Sequence, residues 1–238
     1  MSQVTTNDRV RQVATTLSAA AMLVGTLFGV GVLGERVAES SGGSLSATAT
    51  LLAPASTAFS IWSVIYLGLA AYVVWQWVPR NAASTRGRSI GWLAALSMLL
   101  NGGWLLVTQA GWLWGSVLVI VVLALTLGLI MERLTSLRPE GGTGERIVVD
   151  GTFGLYLGWV TVATVANIAA TLADSGMEPA PGTAELLAVV VLAAATAIGA
   201  FLAFRLGGRL GVAVAMAWGL GWIAVGRFTD EPRSALVG

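Results

Sequence analysis

The chain has 238 residues, of which 56% are hydrophobic and only 11% are charged. Soluble domains carry about a quarter charged residues, so this composition excludes an ordinary soluble protein and indicates an integral membrane protein. Cysteine, histidine and lysine are absent, and all 13 basic residues are arginine. These absences exclude a disulfide framework, a Cys- or His-based metal site and a Schiff-base pigment. The formal net charge of +1 argues against a nucleic-acid partner.

Long uncharged stretches predict the membrane helices. A spanning helix needs about 20 mostly apolar residues, and the sequence contains enough such residues for seven helices. The predicted spans are 13–34, 57–78, 89–109, 112–132, 151–173, 185–204 and 209–227. The third and fourth helices are expected to turn at Gln109–Gly111, and the last two to form a tight hairpin through Arg205–Arg209. The predicted fold class is therefore all-α, with seven transmembrane helices.

The arginines predict the orientation in the membrane. Cytoplasmic loops are enriched in Arg and Lys near the helix ends. With seven helices, ten arginines fall on the side of the N-terminus, and only Arg36, Arg227 and Arg233 fall on the other. We therefore expect a multi-pass protein of the cell membrane with a cytoplasmic N-terminus and a C-terminus outside. The first apolar stretch is too long for a signal-peptide core, so we expect it to be retained.

The loops between the helices differ in length and composition. The longest on the outer side, Glu35–Ser56, is rich in small residues. Two interpretations of this loop remain open: a flexible connector, or a lid over a pocket that opens outward. The segments Thr135–Val149 and Asp174–Ala184 are expected to be solvated linkers.

Polar side chains at membrane depth are the functional candidates, because placing them there is costly. No Asp, Glu or Arg falls in the middle of a predicted span, which disfavours a proton-coupled pump or an ion channel. Without His or Lys, a serine nucleophile has no base. We therefore expect neither catalytic residues nor a resident cofactor.

Three helices carry aromatic and polar side chains in stripes. Residues spaced i, i+3 and i+7 share one face of a helix. The stripes are Phe59/Trp62/Tyr66 in the second helix, Asn101/Trp104/Thr108 in the third, and Tyr156/Trp159/Ala163/Asn167 in the fifth. From the helical rise, Trp62, Trp104 and Asn167 lie roughly 8–9 Å inside the outer helix ends. The three stripes are therefore expected at a similar depth.

Two accounts of these stripes remain open. An unpaired amide in hydrocarbon costs several kcal/mol, so Asn101 and Asn167 should face the interior of the bundle. In one account they bond to each other or to backbone carbonyls and hold the helices together. In the other they line a cavity with the aromatic rings, which suits a flat, largely apolar ligand.

Small residues and two further tryptophans predict helix packing. Glycines four residues apart allow close helix approach, within the chain or in a homodimer. The pairs are Gly25/Gly29, Gly111/Gly115, Gly154/Gly158 and Gly207/Gly211. Trp218 and Trp222 share a face of the last helix and are expected to pack against neighbouring helices.

Three segments of these helices match a known pattern. They are Phe59-Ser-Ile-Trp-Ser-Val-Ile-Tyr66, Asn101-Gly-Gly-Trp104, and Leu155-Tyr-Leu-Gly-Trp159 followed by Asn167. They resemble the second, third and fifth helices of the tryptophan-rich sensory protein / translocator protein family (TspO/MBR), although that family usually has Pro where this chain has Leu155. The resemblance covers residues 13–173, and the last two helices are additional to the family's five.

The resemblance implies a pocket near the first loop that binds porphyrins, related tetrapyrroles or steroid-like molecules. Carried over position by position, the ligand-binding residues are Trp62, Tyr66, Asn101, Trp104, Trp159, Ala163 and Asn167. The implied organisation is a cytoplasmic N-terminus (1–12), a five-helix domain (13–173), an outer loop (174–184), a transmembrane hairpin (185–228) and a tail (229–238).

The function predicted on this basis is that of a membrane receptor or sensor for such ligands. A small-molecule permease, a porphyrin-degrading enzyme and a structural membrane subunit remain as alternatives. The expected partners are the lipid bilayer, the ligand and, in a homodimer, a second copy of the chain. Met and Tyr are poor substitutes for His or Cys as ligands of haem iron, so we expect a tetrapyrrole to be held by stacking and shape.

Overall fold

The computed structural model describes residues 3–207 and 209–238 and arranges them as seven long helices. These are α1 (Thr6–Gly29), α2 (Ile61–Trp77), α3 (Thr85–Gln109), α4 (Leu113–Ser136), α5 (Gly142–Asp174), α6 (Pro181–Arg205) and α7 (Leu210–Thr229). A short 3₁₀ turn, Ser56–Ser60, leads into α2. All seven helices are long and apolar enough to span a membrane, and the described residues form no β-strand. The prediction of an all-α membrane protein with seven spans is confirmed.

Helix α1 is displaced from its predicted position. It occupies Thr6–Gly29 rather than 13–34. Its N-terminus is a capping box, in which the hydroxyl of Thr5 accepts from the backbone N–H of Asp8 at 3.3 Å. The Asp8 carboxylate in turn accepts from the backbone N–H of Thr5 at 2.9 Å, so two end groups of the helix are satisfied. At the other end, Gly31 turns the chain at φ +79°, a conformation that favours glycine.

The prediction that Thr135–Val149 is a solvated linker is correct for its exposure along most of the segment but wrong for its second half, which is helical and partly buried. Helix α5 already begins at Gly142 and contains a π-helical segment at Arg146–Gly151. The side chains of Glu145 and Asp150 are buried in this region. Both carboxylates form ion pairs with a buried arginine of α3, so this part of the chain packs against the bundle.

The remaining turns follow the sequence signals. Helix α3 ends at Gln109 and α4 begins at Leu113, with Gly111 at φ +73° between them. Helix α6 starts four residues before its predicted first residue, at Pro181, a residue type favoured in the first turn of a helix. The predicted hairpin between α6 and α7 is present, although Gly208 within it lies outside the described residues.

An ion-pair network joins α3, α5 and α7 and also contacts α4. It lies at the end of the bundle where α1, α3, α5 and α7 begin, which we call the basic end; the opposite end is the loop end. The guanidinium of Arg86 in α3 donates to Asp150 at 2.6 Å and to Glu145 at 2.7 Å, both in α5. Arg209, next to α7, also pairs with Asp150. Both arginines donate to the carbonyl of Leu134 in α4. The side chain of Arg86 is 1% exposed.

Close helix packing rests on glycines. A Cβ atom on Gly25 of α1 would lie 2.9 Å from the Cα of Gly102 in α3. A Cβ atom on Gly158 of α5 would lie 2.4 Å from the carbonyl oxygen of Val212 in α7. Two of the predicted glycine pairs therefore mediate contacts within the chain. Helix α6 is the least buried of the seven.

Candidate ligand-binding site

Aromatic rings from α2 and α5 meet towards the loop end of the bundle. The ring centroids of Trp62 and Trp159 lie 6.2 Å apart, with an interplanar angle of 87°. Phe59 lies 5.7 Å from Trp159, and Tyr156 lies 5.9 Å from Trp62, both in edge-to-face geometry. Such arrangements are favourable because the ring edge is positive and the ring face negative. The stripes predicted on these two helices therefore face each other.

The two buried asparagines connect α3 to the neighbouring helices. The side-chain oxygen of Asn101 accepts from the hydroxyl of Tyr66 at 3.1 Å. The side-chain oxygen of Asn167 accepts from Nε1 of Trp104 at 3.1 Å. The amide nitrogen of Asn167 donates to Ser116 in α4 at 2.9 Å. The amides thus bond to side chains of adjacent helices rather than to each other.

Two small cavities adjoin these side chains, with volumes of about 50 and about 20 Å³. Both cavities are lined by Phe59, Trp104, Trp159 and Ala163. Asn167 lines the larger cavity, while Trp62 and Asn101 line the smaller. Of the seven predicted residues, only Tyr66 lines neither, and its ring stacks on Trp62 at 5.4 Å. The predicted set therefore surrounds one region of the bundle.

The long loop between α1 and α2 covers the larger cavity; we call residues 35–55 the roof loop. Its lining residues are Val37, Ser44, Leu45, Ser46, Ala49, Ala53 and Pro54. Two serines bond the loop to neighbouring helices. Ser41 donates to the carbonyl of Thr108 at 3.0 Å, and Ser44 donates to Asp174 at 2.6 Å. The position of the loop agrees with a lid over a pocket.

Helix α7 supports the segment that connects the roof loop to α2. The backbone N–H of Ala55 donates to the carbonyl of Trp222 at 3.1 Å. Nε1 of Trp218 donates to the carbonyl of Ala58 at 2.9 Å. The two tryptophans pack edge to face with centroids 5.6 Å apart, so their predicted packing role is confirmed.

The cavities are far smaller than a ligand pocket for a large flat molecule. Pockets for drug-sized ligands measure about 300–1,000 Å³, against about 50 Å³ for the larger cavity. A large flat molecule therefore does not fit either cavity with the surrounding residues in these positions. Trp159 lines both cavities, and its Nε1 is buried with no hydrogen-bond partner within 3–207 and 209–238.

Several residues of the site were missing from the predicted set. Phe59 lines both cavities, and its place three residues before Trp62 was the signal that could have added it. Ser116 bonds to Asn167, but a serine near a helix start carries no signal of that contact. The roof-loop residues follow no spacing rule, so their contacts with the cavity were not predictable residue by residue.

Comparison with known proteins gives one match. A family model described as TSPO-like protein matches residues 12–237. The matched region includes α6 and α7, which the resemblance in the sequence leaves outside its five helices. No curated protein and no solved structure matches the chain.

Proposed function

The chain belongs to the TSPO-like protein family, and from this premise we propose that it is a sensory membrane protein whose aromatic pocket binds a porphyrin or a steroid-like molecule. The observation that carries the proposal is the convergence of Trp62, Trp104 and Trp159, from three helices, around two adjoining cavities, of which the roof loop covers the larger. Wide aromatic faces with few polar groups suit a flat, largely apolar ligand.

The polar groups of the site orient such a ligand more than they attract it. Asn101 and Asn167 already accept hydrogen bonds from neighbouring aromatic side chains. The unpartnered N–H of Trp159 is different, because a ligand oxygen or nitrogen that accepts from it satisfies a buried donor. Stacking therefore supplies the affinity, and this one donor favours a ligand with an acceptor at its edge.

Ligand entry requires the roof loop to open. The hydrogen bond from Ser41 contributes about 1 kcal/mol, and bonds that involve a charged group, from Ser44 to Asp174 and from Arg227 to the loop carbonyls, contribute up to about 3 kcal/mol each. The cavity lining from this loop consists mainly of small side chains. Segments that bury little apolar surface open locally at low free-energy cost. The loop is therefore suited to exchange between a covering position and an open one.

The basic end favours binding over passage through the membrane. There Arg86, Asp150 and Arg209 join helices across the bundle, and Arg86 is 1% exposed. The cavities, in contrast, lie beneath the roof loop and among the rings at the other end. The ion pairs at the basic end block further passage of a ligand that enters from the loop end, as expected for a sensor rather than a permease.

The proposal is tested by titrating the detergent-solubilised protein with metal-free protoporphyrin in the dark and following the porphyrin absorbance. Trp62→Ala removes a stacking face, so we expect affinity to fall by about tenfold, the equivalent of about 1.4 kcal/mol. The matched control is Trp112→Ala at the α3–α4 turn, where the side chain is 62% exposed and affinity should not change.

Equal affinities for wild type, Trp62→Ala and Trp112→Ala would contradict this pocket, as would the absence of saturable binding to wild type. Repeating the titration under light and oxygen separates binding from catalysis. Formation of a porphyrin product that depends on Trp62 would instead favour the porphyrin-degrading enzyme.

A further inference from the structure

A buried arginine lies directly beneath the roof loop. Arg227, near the end of α7, is 1% exposed. Its Nη1 donates to the carbonyls of Thr50 at 3.0 Å and Pro232 at 2.8 Å. Its Nη2 donates to the carbonyls of Ala47 at 3.1 Å and Ala53 at 3.3 Å. Three of its four acceptors therefore belong to the roof loop.

The charge of Arg227 has no carboxylate within ion-pair distance in the part of the chain that the structure describes. Its Nε is also buried without a partner among those residues. Arg86 at the basic end has the same degree of burial but pairs with two carboxylates. Carbonyl oxygens satisfy hydrogen bonds without neutralising a charge, and a buried unpaired charge is expensive. Asp230 and Glu231 lie near enough to act on this charge, but neither forms an ion pair with it, so the guanidinium itself has no anionic partner.

The roof loop contacts both the guanidinium of Arg227 and the larger cavity. Ala53 accepts from Nη2 of Arg227 and also lines the cavity, and Ala49, two residues beyond Ala47, lines it too. When the loop moves away from the cavity, the guanidinium loses the carbonyls of Ala47, Thr50 and Ala53 together. The same movement that admits a ligand thus frees the donors of Arg227 at the edge of the pocket.

We propose that Arg227 binds a carboxylate of the ligand when the roof loop opens, exchanging neutral carbonyl acceptors for an anion. This inference rests on the proposed function and narrows it to flat apolar ligands that carry a carboxylate. Hydrogen bonds between a guanidinium and a carboxylate are charge-assisted and often bidentate, so they are stronger than those to carbonyls. The ligand's anionic group therefore stabilises the open loop, and a neutral molecule of the same shape does not.

Two forms of one ring test this inference: protoporphyrin, which has two carboxylates, and its dimethyl ester, which has none. We expect wild type to bind the acid at least about tenfold more tightly than the ester. In Arg227→Gln the affinity for the acid should fall to that for the ester, while the affinity for the ester is unaffected. The matched control is Arg233→Gln, which removes the same charge from an arginine at the loop end that is 68% exposed, and the preference should persist.

The outcomes separate this inference from the proposed function. If wild type binds neither porphyrin, both are overturned. If wild type binds the acid and the ester equally, the anchoring by Arg227 is overturned and the pocket stands. If Arg227→Gln changes both affinities by the same factor, Arg227 merely holds the roof loop and the anchoring is again overturned. Should Arg227→Gln fail to fold, Arg227→Lys keeps the charge but loses the planar fork, and a smaller preference for the acid is expected.

Discussion

At the scale of single residues, the lack of histidine and cysteine determines how a tetrapyrrole can be held. Neither of the usual strong protein ligands of haem iron is present in the chain. We expect haem and metal-free protoporphyrin to bind with affinities within about threefold of each other, because stacking and shape do not depend on the iron. Parallel absorbance titrations measure both affinities. A strong preference for haem, with a spectrum of axially ligated iron, would contradict this account.

The buried carboxylate of Asp150 makes a second prediction at this scale. Asp150 pairs with Arg86 and Arg209, and its side chain is 8% exposed. Asp150→Asn leaves the buried guanidinium of Arg86 with one carboxylate instead of two. Leaving a buried charge with no partner costs about 3–5 kcal/mol, and because Arg86 keeps Glu145 we expect a smaller loss. This loss still lowers the thermal unfolding temperature in detergent, followed by circular dichroism.

The control for Asp150→Asn is Glu132→Gln. Glu132 pairs with Arg205, but both side chains are about 60% exposed, and such surface pairs contribute about 0–1 kcal/mol. Its unfolding temperature should match wild type. Equal unfolding temperatures for both variants would show that the network does not stabilise the bundle.

At the scale of elements, the contact between α5 and α7 depends on the absence of a side chain. A Cβ atom on Gly158 would lie 2.4 Å from the backbone oxygen of Val212, so Gly158→Ala forces the helices apart. We expect a lower unfolding temperature than wild type. The control, Gly221→Ala, adds a Cβ atom with nothing within 4 Å and should not lower the temperature, because alanine favours a helix interior more than glycine does. An unfolding temperature that Gly158→Ala leaves unchanged would mean that the close packing does not stabilise the protein.

The sequence predicted which elements form but not where all of them end. Apolar length determined the number of spans, and glycine marked the turn at Gly111. The sequence places the beginnings of α1 and α5 too late for one reason: charged residues ordinarily mark solvent, whereas Asp8, Glu145 and Asp150 are buried in ion pairs. A single sequence does not reveal which charges will find partners.

At the scale of the whole molecule, the side chains on one helix face were predictable, whereas the roof and its supports were not. The stripes contain the seven site residues that the resemblance implies, because polar groups at membrane depth must face the interior. No local pattern, however, links Trp218 to Ala58 or Arg227 to Thr50, which are separated by 160 and 177 positions. The loop composition left both a connector and a lid open, and only the fold places this loop over the cavity.

The central claim is that rings from α2, α3 and α5 form a ligand pocket that opens by movement of the roof loop. An experimental structure of the protein with metal-free protoporphyrin tests it most directly. The account predicts the porphyrin among Trp62, Trp104 and Trp159, with residues 44–54 displaced from the cavity that they now cover. A porphyrin bound only on the lipid-facing surface, with the roof loop closed and the rings still in contact, would contradict it.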